Sequence, residues 1–230
     1  MAQVAVNAQY NVTAPESLAQ RVATHVRRKM FATFMVEARP RPDEKLLDIG
    51  VTSDQTYEGS NYLEQLYPYK DRVTAAGIDD AGFLEVRYPG MRFIEANILD
   101  LPFPDAAFDV VHSAAVWEHV GSRANQTRAL AECLRVARRI VCLTTPNRWF
   151  PIELHTAMPL LHWLPHRVYR RLYRALGLAF FAEESNLNLL TMREIKAMAT
   201  AHPGWRFTYK RGWLLGWPSN LILFAERRAV

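Results

Sequence analysis

Five short apolar runs recur along the first two-thirds of the chain, each closing on polar residues. They are residues 45–49 ("KLLDI"), 72–79 ("RVTAAGID"), 91–97 ("MRFIEAN"), 107–115 ("AFDVVHSAA") and 138–146 ("RRIVCLTTP"). Helical patterns sit among them. Residues 13–39 open with the capping-box spacing Thr13–Glu16 and end at the breaker "RPRPDE"; residues 61–67 and 117–137 follow, the latter with Ala129, Leu130, Cys133, Leu134 and Val136 on one face. Strands that are apolar almost throughout and alternate with helices predict a parallel sheet covered on both sides. Residues 205–228 read instead as two strands joined by a Gly/Pro/Ser-containing turn, an antiparallel pair. The expectation is an α/β fold: a doubly wound, mostly parallel, seven-stranded sheet closing on an antiparallel C-terminal pair.

A chain of 230 residues, half of them apolar, has room for one such domain and little more. Its expected parts are a cover helix (13–39), a core (44–146), an insertion or lid (147–190), and a last helix with the closing strands (191–230). Cys133 and Cys142 have no metal-ligand spacing, and no secretory pre-segment is evident, so two free thiols in a cytoplasmic protein are expected. No apolar run approaches the roughly 20 residues of a spanning helix. The net charge of +5 is not gathered into a nucleic-acid module. Its densest cluster, residues 166–177, sets Arg167, Arg170, Arg171 and Arg174 beside Val168, Leu172 and Leu176. That is an amphipathic helix, either a solvated face over a core or a patch for a membrane surface or anionic partner.

In open α/β sheets ligands bind beyond the carboxyl ends of the strands. The residues that fall there are Asp48 and Gly50, Asp79 and Asp80, Asn97 and Ile98, Ser113, and Thr145 to Asn147. An acid such as Asp79 at a second strand end suits a ribose diol. Asn97 with the Ile98 N–H suits an adenine edge, and Gly50 lets backbone approach a ligand closely. Each alone is an ordinary strand-end residue; together they describe an adenosine site.

The order "LLDIG … VTAAGID … FIEANILDLPFPDAAFDVVHSAAVWEHV … RALAECLRVARRIVCLTTPNRW" resembles the class I S-adenosylmethionine-dependent methyltransferases, above all their small-molecule and quinone-type branch (methyltransferase type 11). "LPFPDAAFDVV" and "VWEHV" are the most specific segments, and the likeness covers about residues 44–147. It implies a Rossmann-like fold and an enzyme that uses S-adenosyl-L-methionine and releases S-adenosyl-L-homocysteine. It implies Asp48 and Gly50 at the methionine end, Asp79 on the ribose, Asn97 and Ile98 on the adenine, and Ser113 near the sulfonium. The chain departs from the family at the loop after Gly50, which is longer and glycine-poor. It also carries Asn97 where aspartate is usual, and Asp80 where an apolar residue often stacks on the base. Thr52 and Ser53 are expected to supply the donors that the missing glycines would otherwise expose.

Candidate bases on the acceptor side are His112, His119, Glu153, His155 and His162, with His119, in "EHV", and His155 taken as the catalytic pair. His112 reads as a buried core histidine, and His119 as either an acceptor-side base or a helix cap. Trp149, Phe150, Leu160, Leu161 and Trp163 could enclose an apolar acceptor. His155, His162 and His166 have helix-like intervals, but prolines interrupt the helix and no carboxylate or cysteine completes a set, so no metal is expected. The reading is methyl transfer to an oxygen, nitrogen or carbon of a small or lipid-like acceptor. Its rivals are a catalytically silent protein of the same fold, and an RNA or protein methyltransferase. No nucleic acid is expected, membrane contact would come through residues 167–174, and the oligomeric state is open.

Overall fold

The computed structural model describes residues 17–57 and 59–228. The elements are α1 (Leu18–Ala38), β1 (Leu46–Ile49), α2 (Tyr62–Leu66), β2 (Val73–Gly77), α3 (Phe83–Arg87), β3 (Arg92–Glu95), β4 (Phe108–Ala114), α4 (Arg123–Val136) and β5 (Ala137–Pro146). After these come α5 (His166–Ala175), α6 (Ala179–Ala182), α7 (Met192–Ala199), β6 (Trp205–Leu214) and β7 (Trp217–Arg227). The sheet has seven strands in the order β3-β2-β1-β4-β5-β7-β6. Pairings from β3 through β5 are parallel, and β7 runs antiparallel to both β5 and β6. Strand order reverses between β1 and β4, where a cleft for ligands opens in such sheets.

Side-chain parity builds the two faces. Leu46, Val110, Ile140 and Cys142 join Val26, Met30 and Phe34 of α1. Leu47, Ile49, Val111, Val141 and Leu143 join Ala129, Leu130, Cys133 and Leu134 of α4. Because successive strand residues point to opposite faces, one apolar run serves both layers. Both cysteines are buried and unbridged. Glu44, buried just before β1, receives a two-pronged bond from Arg139 of β5 (2.6 and 2.7 Å), and Arg139 also reaches the Ala38 carbonyl that ends α1.

Three expectations change. The first helix starts after Ser17, whose hydroxyl accepts from the Gln20 N–H; the Thr13–Glu16 box lies outside the described residues. The single helix expected over 117–137 is split into a 3-10 turn (Trp117–His119) and α4. Gly121 at φ +85° breaks it, and Ser122 then caps α4 by accepting from Asn125 N–H. Finally, α5 buries Tyr169 and Tyr173, whereas Val168, Leu172 and Leu176, which would face a core on one of the two readings of this helix, point outward at 45, 38 and 55% exposure. The tyrosine rings offer more apolar area. They pack with Phe181, Leu187 and Leu189 into a small third core, and the Tyr173 hydroxyl lies 3.3 Å from Thr156 Oγ1.

Candidate active site at the strand carboxyl ends

The loop after β1 is closed by side chains that stand in for glycines. Gly50 takes φ +109°, and its N–H donates to the Ala76 carbonyl at 2.7 Å. A Cβ at Gly50 would overlap the side chain of Val116, so the close approach that glycine permits here is taken by the turn after β4. Thr52 and Asn61 then grip each other: Thr52 N–H donates to Asn61 Oδ1 (3.0 Å), and Asn61 Nδ2 donates to the Thr52 carbonyl (2.9 Å). The Thr52 hydroxyl donates to Asp79 Oδ2 (3.3 Å) and accepts from Asp54 N–H (3.2 Å). That hydroxyl therefore orients the second-strand acid rather than reaching toward a methionine end. Ser53 is half-buried in the same loop.

Asp79 is buried just beyond the carboxyl end of β2. Asp80 is exposed, and its Oδ1 accepts from Gly82 N–H, opening the turn into α3. Asn97 is exposed and accepts from Leu99 N–H with its own Oδ1 (2.9 Å), forming a local turn, while Ile98 is buried beside it.

Asp48 and Ser113 are turned elsewhere. Asp48 lies within β1 directly opposite His112 of β4, and parity aims its carboxylate at the α1–α2 face. There it bonds His112 Nδ1, with Tyr62 Oη 3.3 Å from the other ring nitrogen and the buried Glu64 alongside. Burial pushes Asp48 up to about 7, opposed by its contact with Glu64. Burial and then the neighbouring Asp48 charge push Glu64 well up, and burial pushes His112 down to about 4. His112 is thus the core histidine expected. The Ser113 hydroxyl, buried, donates to the Ile49 carbonyl at 2.8 Å, so it tightens the β1–β4 pair instead of lining a sulfonium site.

Arg27 of α1 was invisible to the sequence reading. Its Nη1 lies where a Cβ on Gly59 would stand at 2.7 Å, and that nitrogen is buried with no hydrogen-bond partner among the described residues. Burial lowers the Arg27 pKa, and its charge extends to His155.

At the ends of β4 and β5 the structure brings both expected bases together. Ala115 (φ +56°) turns the chain out of β4 into the turn that carries Glu118 and His119. His119 and His155 meet edge to face, ring centroids 4.8 Å apart. His119 Nδ1 donates to the Asn186 carbonyl (2.7 Å), and Glu118, fully buried, accepts from Thr145 Oγ1 at Oε2 (2.9 Å). Glu153 Oε1 receives His155 Nδ1 (2.7 Å) and backbone N–H, and its Oε2 receives the Thr156 N–H and hydroxyl. Burial would raise Glu153, but the His155 charge and these bonds outweigh it and hold the carboxyl at about 2. Burial would likewise lower His155, and Glu153 reverses the sign, so His155 is raised. Burial, with His155 beside it, pushes His119 down to about 3, and burial lifts Glu118 to about 6. The other two histidines of the 155/162/166 series lie apart: His162 Nε2 faces the Phe150 carbonyl and His166 faces Arg148. The partners the sequence reading missed are Glu118, Asn186 and Asn61, whereas Thr145 stood among the strand-end residues. Only Glu118, adjacent to His119 in "WEHV", carried a local signal.

A methyltransferase domain family matches residues 57–140, beginning within the β1 loop. A "Probable S-adenosylmethionine-dependent methyltransferase" of Mycobacterium tuberculosis is 38% identical over 81 residues, covering 34% of this chain and 28% of that protein. A ubiquinone/menaquinone biosynthesis C-methyltransferase of Shewanella sediminis is 30% identical over 125 residues, covering 50% of this chain and 48% of that protein. The crystal structure of magnesium protoporphyrin IX methyltransferase from Synechocystis with bound S-adenosylhomocysteine superposes at a TM-score of 0.57 and 13% identity. That match covers 96% of this chain and 91% of that one. The fold is that of Rossmann-like methyltransferases, and a methyltransferase domain model matches residues 57–140 within it. Over about a third to a half of its length the chain is similar to S-adenosylmethionine-dependent methyltransferases. It spans between about a quarter and a half of the length of these two curated relatives.

Proposed function

We propose that the chain transfers a methyl group from S-adenosylmethionine to an oxygen, nitrogen or carbon of a small acceptor with a substantial apolar part. The observation that carries this reading is a pair of opposite buried charges at the two ends of the β1 loop. Asp79 is bonded to Thr52 at one end, and the Arg27 guanidinium lies against Gly59 at the other. Such a pair fits a molecule with a ribose diol at one end and a free amino acid at the other. Asp79 would accept from the ribose hydroxyls and Arg27 would pair with the carboxylate. Ser53 and the loop's N–H groups complete the cradle. When bound, the cofactor supplies an electrophilic methyl on a sulfonium, so the protein's task is chiefly alignment. Glu118, His119, Glu153 and His155 would receive the polar tip of the acceptor.

The acceptor's apolar part is suggested by the outer surface of residues 147–190. Trp149, Trp163 and Trp217 form a chain of rings at 6.1 and 6.5 Å. The outward stripe of α5 continues from it. We read this face as lying on an anionic lipid surface from which a lipid-like acceptor is drawn. No helix among the described residues is long and apolar enough to cross a membrane.

Val116 over Gly50 favours a second reading, a domain that keeps the fold without turnover. Calorimetric titration with S-adenosylmethionine and S-adenosylhomocysteine, followed by incubation of labelled donor with a cell extract, separates the two. Binding with label transfer is expected. Binding without transfer to any fraction selects the silent reading, and no binding at millimolar ligand removes both.

A further inference from the structure

We propose that Glu118, His119 and His155 form a site for a divalent transition ion of the zinc type. One donor atom from each of the three lies within 4.8 Å of the other two, and His119 Nε2 stands 3.7 Å from Glu118 Oε1. Ligands at about 2.0–2.2 Å from an ion require these atoms to close by roughly 1 Å, within reach of side-chain rotation.

Two observations distinguish this cluster from a chance packing of polar residues. First, each ligand's second polar atom is already held from behind. His119 Nδ1 donates to the Asn186 carbonyl, His155 Nδ1 to Glu153, and Glu118 Oε2 accepts from Thr145. A carbonyl can only accept, so the proton of neutral His119 is fixed on Nδ1 and its lone pair on Nε2, the side toward Glu118. Carboxylate and carbonyl partners behind histidines are how metal sites orient their ligands. Second, Glu118 Oε1 is buried without a hydrogen-bond partner among the described residues, and a cation would compensate that cost. An edge-to-face histidine pair explains the rings but not this oxygen.

Two imidazoles and one carboxylate suit zinc, cobalt or iron(II) better than magnesium or calcium. Three protein ligands leave coordination open, so the ion would hold an oxygen of the acceptor and favour its ionised form. That last step rests on the methyl-transfer reading; the site itself does not.

The test uses untagged full-length protein, stripped with chelator, loaded with zinc and gel-filtered, with metal measured by mass spectrometry and no donor or acceptor present. One equivalent of zinc per chain is expected in wild type and in a His202→Ala control. Glu118→Gln and His155→Asn should lose it. Glu153→Gln should bind about 10–100-fold more weakly, because it only orients His155. Circular dichroism checks each fold, and if Glu118→Gln does not fold, His155→Asn decides. Wild type emerging without zinc, or folded His155→Asn retaining a full equivalent, overturns the site. Either result leaves methyl transfer to be judged by donor binding and label transfer.

Discussion

At the scale of single residues, burial decides which polar side chains remain for a ligand. Asp79 and Arg27 are the two assigned to the donor. Asp79→Ala should weaken S-adenosylhomocysteine binding by about 2–3 kcal/mol, the worth of charge-assisted hydrogen bonds, and Arg27→Ala by a similar amount. Arg27→Lys should recover part of it, keeping charge while losing the planar fork. Calorimetry reads all three, and wild-type affinity in both alanine variants would remove the assignment. Asp48 makes the opposite case, a motif acid committed to the core, and it predicts a pH effect. Its folded value of about 7 lies above the ordinary value near 4, so the folded chain holds an extra proton between them. Its contribution to stability is full below about 4 and lost as pH rises through about 7. His112 acts in the other sense: at about 4 it lies below the ordinary imidazole value, so its contribution is present above about 6.5 and lost as pH falls toward 4. Asp48→Asn removes the first and also relieves Glu64 of the charge that helps to raise it, so the variant should gain stability relative to wild type as pH is raised from about 4 to about 7. Denaturant unfolding at stepped pH checks this, and parallel curves would show that Asp48 titrates alike in both states.

At the scale of elements, the β1 loop shows what was legible and what was not. Strand runs, their order of apolar residues, and the antiparallel closing pair could be read because periodicity and turn residues are local signals. The loop's glycine poverty could also be read, but its remedy could not. Asn61 reaches back to Thr52 across the loop, and no local rule marks an asparagine for that role. The Asp48–His112 and Glu118–Thr145 pairings depend likewise on register and on a turn after β4, fixed only once the sheet assembles. In α5 the helix was legible but its orientation was not, because Val168, Leu172 and Leu176 beside the arginines marked one apolar face and the burial of Tyr169 and Tyr173 chose another. If Asn61 holds the loop shut, Asn61→Ala should lose about 1–3 kcal/mol of stability through two missing bonds and an uncompensated backbone group. It should also weaken cofactor binding, since Thr52 would no longer steady Asp79. Hydrogen exchange at residues 50–61 should rise. Unchanged exchange there would mean that Val51 packing alone fixes the loop.

At the scale of the whole molecule, most of the exposed large apolar residues belong to residues 149–176 and the β6–β7 turn, with Leu18, Val36, Ile78 and Val86 elsewhere. The β6–β7 hairpin ends in a turn at Leu215 and Gly216, both at positive φ, with Leu215 96% exposed and Trp213 and Trp217 beside it. Trp217 bonds the Trp149 carbonyl and stacks near Trp163, and from Leu164 the surface continues along Val168, Leu172 and Leu176. Exposed Arg167 and Arg171 flank that stripe. Arg170 and Arg174 do not serve it freely, because they pair with Glu184 and Glu183 (3.1 and 2.9 Å). A charge test at 170 and 174 would therefore disturb the local fold, and the informative variant is Arg167→Glu/Arg171→Glu. Wild type should co-sediment with anionic vesicles and release as salt rises, since each basic residue near such a surface contributes about 1 kcal/mol and is screened within a Debye length. Arg167→Glu/Arg171→Glu should stay in the supernatant. Leu172→Asp/Leu176→Asp should also fail to bind, at every salt concentration, because it removes the apolar contact that charge alone cannot replace. Wild type remaining in the supernatant at low salt would remove the membrane face from this reading, and the aromatic surface would then need a different occupant.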